Sequence, residues 1–345
     1  AVTNSRVDGL EARLNNFEAG SFSETTTASF SADMYIGSVD GGDFNTTLSG
    51  AQEDSAVMAG YSFQIDLNTS FTGEDSLDIS IDAGNASGTG IAEFDGNATA
   101  SDRLVVDGVS YTFPVGESVT MIVGDNTDGS ALFTTACAYG GPSNTLDDCG
   151  NVNAGITNGG AMLGASYDFG NGFTTAVGYA GNEAGLATLE QADAFGVNAA
   201  YTGDNYGLSV TYGVLDNAMI VATDDNNGYT SNEYTALNAF FTPEGLPSIS
   251  VGYEFADLGG ATESTDEASS FFVGVNGDVG PGTAGFALGY SDNVEDTDEE
   301  YMYEAYYSYP INDGMTVTPL VYTKENSTTG VDDETGIMVK TSFSF

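Results

Sequence analysis

Long stretches of this chain alternate, residue by residue, between an apolar and a polar side. In VMAGYSFQIDLN, Val57, Ala59, Tyr61, Phe63, Ile65 and Leu67 share one face, and Ser62, Gln64, Asp66 and Asn68 share the other. In LDISIDA, Leu77, Ile79, Ile81 and Ala83 oppose Asp78, Ser80 and Asp82. A period of two marks a strand with two unlike faces. The pattern recurs through AMLGASYDF, FTTAVGY, AFGVNAAY, YGLSVTY, TALNAFF, SISVGYEF, AGFALGY, YMYEAYYSY and MTVTPLVYTK. Adding TASFSADMYI, RLVVDGVSYTF, ESVTMIVG, a short FFVGV and the final ETGIMVKTSFSF gives sixteen expected strands. Parity slips once, around Asp107-Gly108, which reads as a bulge.

The connections alternate short and long. Short ones include PVG, GNG, TGDN and PINDG; long ones span 38–55, 87–100, 125–159, 181–191, 215–232, 256–268, 292–299 and 325–334. A sandwich in water has no reason to keep every second loop short, whereas a barrel crossing a membrane has two unlike rims. The apolar face of the clear strands carries no mid-strand charge. A Lys or Arg there would cost about 2–4 kcal/mol in lipid. Aromatic residues gather beside the short turns: Tyr111 and Phe113, Tyr167, Phe169 and Phe173, Tyr201 and Tyr206, Phe240 and Phe241, Tyr307 and Tyr309. They read as one interfacial girdle, built from Tyr and Phe in a chain without Trp. Among β structures, only a closed ring of strands satisfies every backbone group in lipid. The last strand, with Ile337, Val339, Thr341, Phe343 and Phe345 on one side, is therefore expected to pair with the first. Both ends should lie at the short-turn rim.

The fold class is thus all-β: a sixteen-stranded antiparallel transmembrane barrel over residues 20–345, preceded by a short helical segment. In residues 1–19, Val7, Leu10, Leu14 and Phe17 fall at helical spacing. They form either an amphipathic stub or a two-heptad coiled coil between subunits.

Composition narrows the function. There are 51 acids against 5 bases, a net charge of −46, which disfavours nucleic acid as a partner. Excess carboxylates suit a protein in salty water, where a Debye length of about 4 Å screens their repulsion. They also suit a surface that draws cations. Histidine is absent and only two cysteines occur, so the commonest general base and the usual metal clusters are missing. No enzymatic activity and no cofactor are expected. Acidic external loops could hold Ca²⁺ through oxygen ligands, although none has EF-hand spacing.

RVDGLEARLNNFEAGSFSETTTASFSADMYIG resembles the junction between coiled coil and first strand in the major outer-membrane porins of cyanobacteria. RLVVDGVSYTFPVG is similar to an internal hairpin of that family, which is grouped with carbohydrate-selective porins, and a terminal strand ending in Phe resembles bacterial porins generally. The resemblance covers essentially the whole chain. It implies a homotrimeric diffusion channel embedded in outer-membrane lipid, with its N-terminus in the periplasm. The family's S-layer-homology domain is not within these 345 residues.

Candidate site residues follow from parity. Lys324 and Lys340 point inward, and Arg103 is placed inward beside the bulge. Inward acids are Asp33, Asp66, Asp78, Asp82, Glu254 and Glu304. They form either a uniformly hydrated wall or two facing walls of opposite charge that select ions. Cys137 and Cys149 lie in the longest connection, 125–159, and an oxidising compartment would bridge them. By analogy with general porins this third external loop is a constriction carrying Asp147 and Asp148. The alternative is a loop that caps the mouth or packs on a neighbouring subunit. The expected function is passive diffusion of inorganic ions and small hydrophilic solutes, with cations preferred. The competing expectation is an acidic, surface-attached structural or adhesin protein without a channel.

Overall fold

The computed structural model describes residues 25–41, 56–86, 93, 102–156, 160–188, 191–216, 231–259 and 266–345. The expected helical segment at 1–19 lies outside the described residues. Sixteen strands follow in order: β1 (Thr26–Asp40), β2 (Val57–Thr69), β3 (Ser76–Gly84), β4 (Val105–Val115), β5 (Val119–Asp125), β6 (Ala161–Asp168), β7 (Phe173–Gly181) and β8 (Asp193–Thr202), then β9 (Tyr206–Asp216), β10 (Ser231–Phe241), β11 (Ser248–Leu258), β12 (Glu267–Val279), β13 (Gly282–Val294), β14 (Met302–Asn312), β15 (Met315–Lys324) and β16 (Glu334–Ser344). Each pairs antiparallel with its neighbours in sequence, and β1 with β16 closes the ring.

Closure gives the aromatic residue at position 345 a partner. Phe30 and Phe345 exchange both backbone hydrogen bonds at 3.0 Å, and their rings stack at 5.9 Å. A terminal strand that would otherwise fray is thereby held at both backbone and side chain. Parity holds along β16: Ile337 is 63% exposed outward, while Met338 is buried inside.

The long and short connections segregate to opposite rims, as the alternation predicts. The girdle at the short-turn rim is present in ring contacts such as Tyr111–Phe113 at 5.4 Å and Phe173–Tyr201 at 4.7 Å. One member is corrected. Phe240 follows the inward parity of β10 and lies over Gly207 inside the barrel, leaving Phe241 outward. A second outward ring occurs at the long-loop rim, where tyrosine hydroxyls donate to carboxylates: Tyr61 to Asp102, Tyr179 to Asp193 and Tyr212 to Glu233. Sequence reading placed a single girdle, at the short-turn rim, and did not identify this second ring.

The slip near Asp107 is a bulge: Ser80 pairs with Gly108 and Ile81 with Val106, leaving Asp107 unmatched. Two further irregularities, near Ser269/Phe271 and Pro310/Asn312, were not expected. The short FFVGV strand is corrected to the thirteen residues of β12. It looked short because Ser269 and Gly277 interrupt the apolar outward face while the ladder runs on beyond them.

Buried apolar side chains gather inside the ring. Tyr139, Leu146 and Cys149 of the 126–160 connection pack with Phe272, Met302, Tyr306, Leu320 and Met338 of the wall.

Candidate functional site: the barrel interior

The third long connection folds inward and lies along the wall. Its turn inward begins at Asn126, whose φ of 53° is left-handed and whose side-chain amide donates to the Asp107 carbonyl. The segment then runs extended. Backbone N–H groups of Thr134, Ala136 and Ala138 donate to Asn198 Oδ1 (3.0 Å), Ser209 Oγ (2.9 Å) and Ser250 Oγ (2.8 Å). Alternate residues of an extended chain present their N–H groups to one side. Side chains of β8, β9 and β11 therefore do for this segment what a neighbouring strand would do.

Beyond the rail, the Tyr139 hydroxyl donates to Glu304 Oε1 of β14 (2.5 Å). Cys137 and Cys149 are bridged, with Cα atoms 6.3 Å apart, closing the loop's tip into a ring. The returning arm is fixed by Asn238, which donates to the Cys149 carbonyl (2.8 Å). It is fixed again by Glu254, which accepts the N–H groups of Asn153 (2.9 Å) and Ala154 (2.8 Å). At the tip, Lys324 Nζ reaches Thr145 Oγ1 (3.3 Å), and Glu93 of the second long connection accepts the Thr145 N–H (2.9 Å).

So close an approach needs small wall residues. A Cβ on Gly178 would stand 1.9 Å from the Gly129 carbonyl oxygen, and one on Gly252 would stand 1.8 Å from that of Cys149. Both obstacles are backbone atoms.

The wall of β1–β4 is different. Its inward side chains bond to one another: Gln64 to Asp66 (2.7 Å), Ser80 to Asp66 (2.8 Å), and Asn68 to Asp78 (2.5 Å). Asp33, Asp66 and Asp78 are half-exposed there, and Asp82 is buried. Lys340 lies in β16, opposite Tyr35 on one side and Thr318 on the other.

Placement separates the candidates named from sequence. Asp33, Asp66, Asp78, Asp82 and Lys340 share the stretch from β16 to β3. Lys324 sits at the loop's tip. Glu254 and Glu304 point inward as parity requires, but they are corrected from wall acids to loop anchors. They are 2% and 1% exposed beneath the loop. Arg103 precedes β4 and is exposed near the long-loop rim instead of on the strand wall. Asp147 and Asp148 are exposed between the buried Leu146 and Cys149. Among the described residues no group of three acids or cysteines is arranged to hold a metal. Sequence reading missed Glu93, Asp107 and Asp128. It also missed the rail of Asn198, Ser209 and Ser250, whose signal is the run of small inward residues on β7–β13.

Comparison with known proteins agrees with this architecture. No family model matches the chain. It is 28% identical to an uncharacterized protein of Nostoc sp. (strain PCC 7120), across all of this chain and 70% of that one. Among solved structures it is similar to OprB of Pseudomonas putida, with a TM-score of 0.67, 12% identity, and coverage of 93% of this chain and 94% of that one. An anion-selective porin from Comamonas acidovorans gives a TM-score of 0.64 at 14% identity, covering 93% and 99%. A variant of the Rhodopseudomonas blastica porin gives 0.59 at 15%, covering 92% and 100%. The fold is that of the bacterial porins: a closed antiparallel transmembrane barrel of sixteen strands.

Proposed function

We propose that this chain is an outer-membrane porin of the cyanobacterial type, a water-filled channel for passive diffusion of inorganic ions and small hydrophilic solutes. The observation that carries this is the division of the interior. One loop is bonded down against β7–β15, and the acidic side chains of β1–β4 are left along the remaining wall. A protein serving only as a surface layer has no need of such an interior. We assign the short-turn rim, and with it the N-terminus, to the periplasm, and a homotrimer as the working assembly.

Cations are the preferred ions in this reading. Among the described residues, Lys340 is the one base on the stretch of wall from β16 to β3 that carries Asp33, Asp66, Asp78 and Asp82. The net charge of −46 draws counter-ions to the mouth. Reversal potential across a planar bilayer under a salt gradient tests it. The wild type should favour cations, less so as salt rises and screening shortens the reach of the mouth charges. Lys340→Ala should raise the preference. An anion-selective wild type overturns the selectivity, and a protein that inserts but never conducts overturns the channel.

A further inference from the structure

Two hollows interrupt the apolar band on the outer face of β8–β12. One, of about 670 Å³, lies over Ala199, walled by Phe173, Tyr201, Tyr206, Leu208 and Val210. The other, of about 440 Å³, lies over Ala239, walled by Leu208, Leu237, Val251, Tyr253 and Phe271. Register explains both. Leu208 pairs with Tyr201 on one side and with Ala239 on the other. Ala199 pairs with Val210, and Ala239 with Val251. Each alanine is therefore a low point among outward Leu, Val and aromatic side chains, and Leu208, 54% exposed, is the ridge between them. The hollows back onto the seat of the third loop. Asn198 and Asn238, which hold that loop from inside, immediately precede the two alanines.

A hollow in a lipid-facing wall costs contacts unless something fills it, because a gap forfeits the attraction of the atoms that line it. Acyl chains are the apolar material at hand on this face, and they bend to fit. The convex wall of a second barrel is stiff and would meet such a surface along a line, leaving both hollows open. Two hollows that share one ridge suit two chains that leave one head group. At the short-turn end stand Tyr201 and Tyr206, with ring centroids 5.4 Å apart, members of the girdle that marks the head-group level. The turn between them carries the exposed Asp204, and no Lys or Arg occurs anywhere in 104–323. An anionic head group meets repulsion there and no base to pair with. A head group that offers an ammonium or hydroxyl donor meets a carboxylate.

We propose that the hollows over Ala199 and Ala239 hold one diacyl lipid astride Leu208, with a donor-bearing head group of no net negative charge at Tyr201, Tyr206 and Asp204. The site lies on the outer face and does not rest on the channel reading.

Phosphatidylethanolamine and phosphatidylglycerol are the probes, one zwitterionic and one anionic. The protein is reconstituted into nanodiscs that hold both in equal amounts, released into mild detergent, and weighed by native mass spectrometry. The wild type should retain one lipid per chain, with phosphatidylethanolamine favoured. Combining Ala199→Phe with Ala239→Phe fills both hollows and should lower retention roughly tenfold, which is what losing about two methylenes from apolar contact costs. Heat-modifiable mobility and oligomeric state should stay as in the wild type. Val321→Phe, on the outward face of β15, should leave retention unchanged. Asp204→Lys alters the turn alone and should move the preference to phosphatidylglycerol. Equal retention in wild type and double variant overturns the site. A double variant that keeps its lipid but changes oligomeric state makes the hollows a contact between copies and overturns it as well. A preference indifferent to Asp204→Lys overturns the placement of the head group.

Discussion

Two halves of one barrel use the same backbone and opposite side chains. On β7–β13 small residues recur at inward positions: Gly178, Gly196, Gly213, Gly252, Gly274 and Gly289 contribute one to each of six strands, with Ala, Ser and Asn at many of the others. On β1–β3 the corresponding positions hold Asp33, Gln64, Asp66, Asp78 and Asp82. Both halves present an apolar outer face, so the membrane does not distinguish them. The difference is what each half receives from inside. The small-residue half takes a polypeptide at backbone distance, and its few polar side chains serve that polypeptide's N–H groups. The acidic half receives no described segment, and its polar side chains bond to one another along and across strands. A strand wall can thus be specified for a chain or for a solution by side-chain size alone.

The strongest way to break the contrast is to enlarge the small half. Gly252→Val places side-chain atoms where the Cys149 carbonyl now stands. The barrel ladder is untouched, but the returning arm loses its seat, at an expected cost of about 3 kcal/mol, the upper end for overpacking. The loop, tethered at both ends, is then pushed into the lumen. Single-channel conductance should fall, and protease should cut within 126–160 in the folded protein. Unchanged conductance together with a resistant loop would mean that the loop does not rest on β11.

A smaller effect is expected from Glu254→Ala. It leaves the N–H groups of Asn153 and Ala154 without their acceptor under the loop, costing about 2 kcal/mol for the bonds to a charged group. The contrast is with Asp66→Asn on the acidic half, which removes the same charge but touches no loop residue. Glu254→Ala should make the current noisy with little change in ion preference. Asp66→Asn should lower cation preference with a quiet current. If the two variants exchange these signatures, the halves have been assigned the wrong way round.

Much of the frame was legible beforehand, because it is written in local patterns. Parity gave the outer face, connection length gave the two rims, and a final Phe gave the closing pair with β1. The bulge at Asp107 was visible as a slip of parity. The path of the third loop was not legible. Its bonds join residues as far apart in sequence as Thr134 and Asn198, or Ala138 and Ser250, and no period records them. Glu254 and Glu304 show the consequence. Parity placed them inward, as found, but whether an inward acid meets water or a loop depends on that distant packing. The inward glycines were the available clue, since strands need no glycine to alternate.

The acidic half also differs at its foot, and this gives the smallest expected effect. Among the described residues no loop is bonded along it, and the β2–β3 hairpin has its own turn. There Asp75 accepts the Ser70 hydroxyl (2.9 Å), the N–H groups of Phe71 (2.9 Å) and Thr72 (2.7 Å), and the Thr72 hydroxyl (2.8 Å). Tyr111 of β4 adds its hydroxyl at 2.6 Å. The covered half turns more simply, as at Gly170 and Gly172 between β6 and β7, both with positive φ. The Tyr111 hydroxyl first, and then the Thr72 and Ser70 donors, hold the Asp75 carboxyl well below its ordinary value of 3.8. A carboxyl so depressed in the fold contributes stability that is fully present above the ordinary value. That stability is lost as pH falls from there towards the folded value. Asp75→Asn keeps the shape but not the charge, so it should lower the temperature at which folded mobility on a gel is lost near neutrality. At about pH 3 and below, the gap between wild type and variant should narrow. Acidification also relieves repulsion among the other carboxylates, which moves both proteins together, so the gap is the quantity to follow. A gap that stays constant with pH would show that Asp75 holds the turn by shape alone.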